Sequence, residues 1–202
     1  MTSHSVTPRN TTLIAPAKRM RSRGNKSKLI YGVTAILYNI RSAHNVGSIF
    51  RTADAAGISK IYLCGYTPIP LTDKEIRLHQ DFGGRSKIAK TALGAEKSVA
   101  WEHYPRIGKL LKELKQKGVS VVALEQAKQS KNIFSARGGS AFGGKSIALI
   151  VGNEVCGLPP SVLKRADSIV EIPMYGKKES LNVSVAFGIA AYALIQKSES
   201  SE

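Results

Sequence analysis

Three short segments hold the residue types best suited to chemistry. The first is Asn45-Val-Gly-Ser-Ile-Phe-Arg51-Thr-Ala-Asp54. A guanidinium stays charged at physiological pH and can grip a phosphate through two parallel N–H bonds. The plainer reading of Arg51 is an ordinary surface arginine paired with Asp54 or another acid. The second segment is Gly152-Asn153-Glu154-Val-Cys-Gly157-Leu158-Pro159, directly after an apolar run. Gly152 has no Cβ and lets a ligand approach the backbone. Glu154 could accept hydrogen bonds from a substrate or orient Arg51. Gly, Asn and Pro are also turn formers, so the segment equally reads as a turn. The third segment is Ile172-Pro-Met174-Tyr-Gly176 followed by Ser180-Leu-Asn182-Val-Ser184. Ser180 or Asn182 could cap a following helix, but capping needs one such residue rather than a cluster. Asn182 offers donors and an acceptor, which suits a purine edge or a hydroxyl.

A fourth segment has a misleading pattern. Gly139-Ser-Ala-Phe-Gly-Gly144-Lys145-Ser146 matches the phosphate-cradling spacing G-x-x-x-x-G-K-[ST]. That mechanism needs a strand before the loop and a helix after it, so that the helix N-terminus faces the phosphates. Here Ile147–Val151 reads as a strand, and Lys131–Arg137 is not a convincing one. The segment is expected to be a Gly-rich loop, with Lys145 free to touch RNA.

The elements that position these segments alternate between two periods. Residues 33–38 (Val-Thr-Ala-Ile-Leu-Tyr) read as a buried strand. Asn45 reads as a helix N-cap, followed by Val46, Ile49, Phe50 and Ala53 at helical spacing, with Gly57 ending the element. Residues 60–64 read as a strand and 65–104 as loops and short helices. A helix begins at Pro105 with Ile107, Leu110, Leu111 and Leu114 on one face, and Gly118 closes it. Residues 119–124, 147–151 and 168–172 read as strands, with a short helical turn after Pro160. Val183, Ala186, Phe187, Ala190, Ala191, Leu194 and Ile195 define a last helix. Alternating strands and helices, with strands apolar throughout, predict an α/β domain. Its mostly parallel sheet is flanked by helices. Ligands in such folds sit beyond the C-terminal strand ends, where the three segments fall.

Lys and Arg number 30 against 14 Asp and Glu, a net charge of +16 in 202 residues. That excess points to a polyanionic partner, nucleic acid before an anionic membrane. Two cysteines, Cys64 and Cys156, with no CxxC argue against a disulfide scaffold or a zinc module and fit a cytoplasmic location. No apolar run approaches the roughly 20 residues of a membrane span. Residues 1–28 contain Arg9, Lys18, Arg19, Arg21, Arg23, Lys26 and Lys28 and no acid. A basic, flexible arm is expected over 1–30, a single domain over 31–197 and a disordered tail over 198–202. The arm reads as an RNA-contacting tail, a solubilising tail or an organelle transit peptide.

The three segments, in this order, resemble the three signature motifs of the SpoU-type (TrmH-like) RNA ribose 2′-O-methyltransferases of the SPOUT superfamily. The resemblance covers roughly residues 33–196. It implies a deep trefoil knot in the C-terminal part of the domain, S-adenosyl-L-methionine as methyl donor without a metal, and a homodimer. It further implies that Asn45, Arg51, Glu154, Ser180 and Asn182 act in catalysis or substrate positioning. Leu124, Gly152, Ile172, Met174 and Leu181 match cofactor-contacting positions. The implied substrate is a tRNA or rRNA. A non-catalytic, basic RNA-binding or ribosome-assembly factor with the same fold is the alternative. In the enzymatic reading, Arg51 grips a neighbouring phosphate and stabilises the nascent alkoxide, since a guanidinium holds its proton too firmly to be a ready base; a deprotonated arginine acting as base is the alternative.

Overall fold

The structure, a computed structural model, describes residues 32–71, Glu75, 87–135 and 146–199, with side chains described as far as Ile195. Residues 1–31, holding the basic arm, lie outside the described residues, as do 136–145, holding most of the Gly-rich loop.

Seven strands form one sheet in the order β3-β2-β1-β6-β4-β7-β5. They are β1 (Gly32–Tyr38), β2 (Lys60–Cys64), β3 (Trp101–Tyr104), β4 (Ser120–Leu124), β5 (Lys131–Asn132), β6 (Ser146–Val151) and β7 (Ser168–Glu171). Every described strand pair is parallel. The helices among the described residues include α1 (Ala43–Ala55), α2 (Lys87–Ala92), α3 (Ala95–Ser98), α4 (Ile107–Gln116), α5 (Pro160–Leu163) and α6 (Val183–Glu199).

Apolar strands are explained by a core on each face. Successive strand side chains point to opposite sides. On one side Val33, Ala35 and Leu37 of β1 and Ile147, Leu149 and Val151 of β6 pack beneath α1, α2, α3 and α6. On the other, Ile36, Ala148 and Ile150 meet Ile107, Leu110, Leu111 and Leu114 of α4. A sheet covered twice has no polar face to reveal its register in the sequence.

Several expectations need correction. The N-cap of α1 is Ser42, not Asn45: the Ser42 hydroxyl accepts from the Asn45 backbone N–H at 3.3 Å. Asn45 therefore lies inside the first turn, which frees its side chain. Within 65–104 the structure adds β3, an edge strand. Its pattern is half-exposed and it contains Glu102 and His103, so no apolar run marks it. The helix expected from Pro105 begins at Ile107, because Arg106 is extended. The strand expected over 168–172 ends at Glu171. The last helix continues to Glu199, into the segment expected to be a tail; residues 200–202 lie outside the described residues. The Gly-rich loop leads into strand β6, so the helix that phosphate cradling needs is missing. Among the described residues no helix is long and apolar enough to cross a membrane.

Helix α1 is held close to its neighbours. A Cβ on Gly47 would stand 2.3 Å from the Ile88 carbonyl oxygen and 2.1 Å from Thr91 Oγ1. The Thr91 hydroxyl in turn donates to the His44 carbonyl at 2.9 Å. The glycine permits this contact with α2 and fixes the helix that presents Asn45 and Arg51.

Candidate active site

The C-terminal ends of β4, β6 and β7 open onto a cavity of about 240 Å³. Leu124, Gly152, Ile172, Met174 and Leu181 line it, together with Glu154 and Ser180. Two of the three segments thus meet around one space. The first segment reaches it through hydrogen bonds. Asn45 Nδ2 donates to Glu154 Oε1 at 3.1 Å, and Asn182 Nδ2 donates to Asn45 Oδ1 at 3.2 Å. Asn182 Oδ1 then accepts from the Ser184 backbone N–H at 2.9 Å, capping the start of α6. One chain of side chains therefore ties all three segments together across more than a hundred residues of sequence.

Glu154 is the anchor of this arrangement. Its carboxylate accepts from the backbone N–H groups of Arg41 at 2.9 Å and Ser42 at 3.0 Å, at the N-terminus of α1. Partial burial alone would raise its pKa. The hydrogen bonds from Arg41, Ser42, its own N–H and Asn45 outweigh that effect and hold the carboxyl below the usual range. The positive end of the helix dipole favours the same charged form. Glu154 is thus an anion at neutral pH whose oxygens are occupied by α1. It does not orient Arg51, which was one expectation for it.

Arg51 stands apart. It is exposed and does not line the cavity. Among the described residues it has no hydrogen-bond or ion-pair partner. Asp54, the partner expected in the plainer reading, instead accepts from Ser98 Oγ at 2.8 Å. Arg51 follows Asn45 by six positions, about 9 Å along the helix axis and about 120° around it.

The turn after β6 has a structural explanation of its own. A Cβ on Gly152 would lie 2.7 Å from the Gly157 carbonyl carbon and 2.8 Å from Leu158 Cγ. Gly157 has φ +62°, and a Cβ there would meet Glu125 Oε2 at 2.4 Å. The buried Asn153 fixes the turn from within. Its Oδ1 accepts from the N–H groups of Val155 and Cys156 at 2.8 and 2.9 Å. Its Nδ2 donates to the Asn39 carbonyl at 2.9 Å and to the Tyr66 hydroxyl oxygen at 2.8 Å. The segment is a turn, and it lines the cavity.

Sequence reasoning missed Glu125, Gln126 and Glu171, which also line the cavity. Glu125 Oε2 accepts from the Leu158 N–H at 2.6 Å, joining the end of β4 to the turn after β6. Gln126 Nε2 donates to the Glu179 carbonyl at 2.8 Å and tethers the loop before Ser180. The rule that polar residues at strand ends make sites, applied to β4, would have found the first two. Among the described residues no group of three or more His, Cys, Asp or Glu is placed to hold a metal ion.

Cavity and donor set suit S-adenosyl-L-methionine. Apolar Leu124, Ile172, Met174 and Leu181 offer walls for a flat purine, while Glu125 and Glu171 bring negative charge to the cavity lining, which suits a cationic ligand.

Comparison with known proteins agrees. The SpoU rRNA methylase family matches residues 32–192. The 23S rRNA (guanosine-2'-O-)-methyltransferase RlmB of Ralstonia nicotianae is 29% identical over 197 residues, covering 95% of this chain and 71% of that protein. The tRNA (guanosine(18)-2'-O)-methyltransferase of Aquifex aeolicus is 35% identical over 155 residues, covering 76% of this chain and 64% of that protein. The crystal structure of an AdoMet-bound rRNA methyltransferase from Sinorhizobium meliloti superposes with TM-score 0.69 at 27% identity, covering 82% of this chain but 56% of that one. The chain thus spans little more than half the length of some of its relatives. This chain belongs to the SpoU rRNA methylase family.

Proposed function

We propose that this chain methylates a ribose 2′-hydroxyl of a tRNA or rRNA. The observation that carries the reading is the joining of three segments, distant in sequence, at one cavity beyond the strand ends through Glu154, Asn45 and Asn182. The donor, when bound, supplies a methyl group on a sulfonium, a leaving group already activated without a metal. The backbone of the 152–157 turn, Leu124, Ile172, Met174 and Leu181, which line the cavity, would hold the donor. Ser180 and Asn182 position the ribose. Alignment of the reacting atoms supplies much of the acceleration. Arg51 lies outside the cavity, exposed and unpartnered among the described residues. RNA bound across both would bring a phosphate next to the target ribose to its guanidinium, which then stabilises the forming alkoxide. That phosphate or a water takes the proton. Glu154 serves as the positioning residue that keeps α1 at the site.

The finer features belong to the same reading. A trefoil knot in the C-terminal part finds support in the placement of β6 between β1 and β4, although it follows β4 and β5 in sequence. A homodimer finds support in α6, where Val185 and Tyr192 expose apolar surface on a helix that also packs into the core. The low cysteine count supports a cytoplasmic location. The basic segment at 1–28 supplies phosphate contacts.

The decisive experiment incubates the protein with tritiated S-adenosyl-L-methionine and unmodified tRNA and rRNA transcripts. Ribose-methylated nucleosides are expected after digestion. Their absence, with the donor bound, would favour a non-catalytic RNA-binding factor. Removal of residues 1–28 should weaken RNA affinity and lower the dependence of log affinity on log salt, by up to about 6 if all seven cations meet phosphates.

A further inference from the structure

We infer that Tyr66, hydrogen-bonded to the cavity-lining Asn153, is a stacking platform for a base of the substrate RNA. The inference rests on the RNA-methyltransferase reading. Tyr66 follows β2 and is 61% exposed, although its ring is one of the larger apolar surfaces in the chain. Scattered exposed aromatics are common and by themselves mean little. This one is held differently.

Its backbone is fixed on both sides. The Tyr66 N–H donates to Asn39 Oδ1 at 3.2 Å. The next residue, Thr67, is buried, and its hydroxyl accepts from the Ile40 N–H at 3.1 Å and lies 2.8 Å from the Cys64 carbonyl. The far end of the side chain is fixed as well. The phenol oxygen accepts from Asn153 Nδ2 at 2.8 Å. Asn153 is itself nearly buried, lines the cavity and sits between Gly152 and Glu154. A solvent-exposed ring is thus pinned by backbone and hydroxyl to the wall of the site.

Such a ring loses little freedom when a base stacks on it, so the stacking free energy is not spent on ordering the side chain. Transfer to a 2′-hydroxyl requires a nucleotide presented in an accessible conformation, and splayed bases in RNA are commonly received by aromatic faces. Stacking tolerates any base, so Tyr66 would add affinity without fixing the sequence.

Three variants test this. Tyr66→Phe keeps the ring and removes the hydroxyl, Tyr66→Leu removes the ring, and Tyr66→Gln replaces Tyr66→Leu if that protein melts at a lower temperature. Binding is read by anisotropy of a fluorescein-labelled, single-stranded oligoribonucleotide of about 15 nucleotides, and turnover with the transcripts methylated by the unaltered protein. Loss of the ring should weaken oligonucleotide binding and raise the RNA KM by about tenfold. The salt slope should not change, because no phosphate contact is lost. Affinity for S-adenosyl-L-methionine and kcat should stay within twofold, and Tyr66→Phe, which keeps the ring but loses its pin to Asn153, should lose clearly less oligonucleotide affinity than the ring-less variant. A ring-less variant within twofold of the unaltered protein in both assays overturns the inference. Equal losses in Tyr66→Phe and Tyr66→Leu also overturn it, since they assign the effect to the Asn153 hydrogen bond. If the unaltered protein methylates no RNA but loss of the ring still weakens oligonucleotide binding, the stacking role stands and the catalytic reading fails.

Discussion

Glu154 and Arg51 carry opposite charges on neighbouring parts of the molecule, and the fold treats them in opposite ways. Glu154 accepts hydrogen bonds from two backbone N–H groups and an asparagine, all at the start of α1. Arg51, further along the same helix, is exposed and meets no partner among the described residues. A charge whose hydrogen bonds are all made within the chain belongs to the scaffold, because moving it would leave donors unpaired. A charge left open is available to a ligand and contributes little to folding. The contrast separates a residue that builds the site from one that, in the proposed reaction, meets the RNA.

The largest effect should come from removing the open charge. Arg51→Ala is expected to lower single-turnover methyl transfer by about 100-fold or more, the scale of losing one oxyanion-stabilising group. Affinity for S-adenosyl-L-methionine, measured by calorimetry, should change less than twofold. Equal losses in both would erase the distinction between the two charges. Next in size is Gly152→Ala, which pushes a Cβ against the Gly157 backbone. Overpacking of this kind costs about 1–3 kcal/mol. It should show as a lower urea midpoint together with at least about tenfold weaker donor binding, because the displaced turn is a cavity wall.

Glu154→Gln should have a smaller effect, and one that depends on pH. The folded protein holds this carboxyl below its usual pKa. The ionised group therefore adds stability at pH values above the unfolded carboxylate range, and that contribution is lost as pH falls through the folded value. Since the residue is exposed, the stability difference at pH 7 should be only about 1 kcal/mol. Urea unfolding at pH 7 and at about pH 3 should show the difference shrinking in acid. A constant difference would mean that shape, not charge, makes the anchor. On stability, the effect of Asn182→Ala, which removes both the cap on Ser184 and the link to Asn45, is expected to be small, although methyl transfer should also fall because Asn182 positions the ribose in the proposed reaction. Loss of the cap costs about 1 kcal/mol, read as a Tm lower by a few degrees.

Much of the scaffold can be read from residue order. Helical spacing in Val46, Ile49, Phe50 and Ala53, and in Ile107, Leu110, Leu111 and Leu114, marks faces that the structure buries. Continuous apolar runs at 33–38 and 147–151 become adjacent central strands. Strand β3 escapes such a reading because an edge strand with Glu102 and His103 has no apolar signature. Asn45 resembles a cap because capping residues are recognised by type, whereas the position of the first helical N–H depends on the preceding chain. The true cap, Ser42, lies three residues earlier.

The site divides in the same way. Which residue types are present, and that three polar, glycine-containing segments follow apolar strands, was settled by the linear order alone, because strand periodicity and backbone freedom are local properties. That Asn45, Glu154 and Asn182 share one hydrogen-bonded chain, that Glu125 braces the Gly157 turn, and that Tyr66 is pinned to Asn153 were decided only by tertiary structure. Those contacts join residues from 33 to 137 positions apart. No local preference encodes such distances; the order in which parallel strands enter the sheet brings their C-terminal ends to one edge.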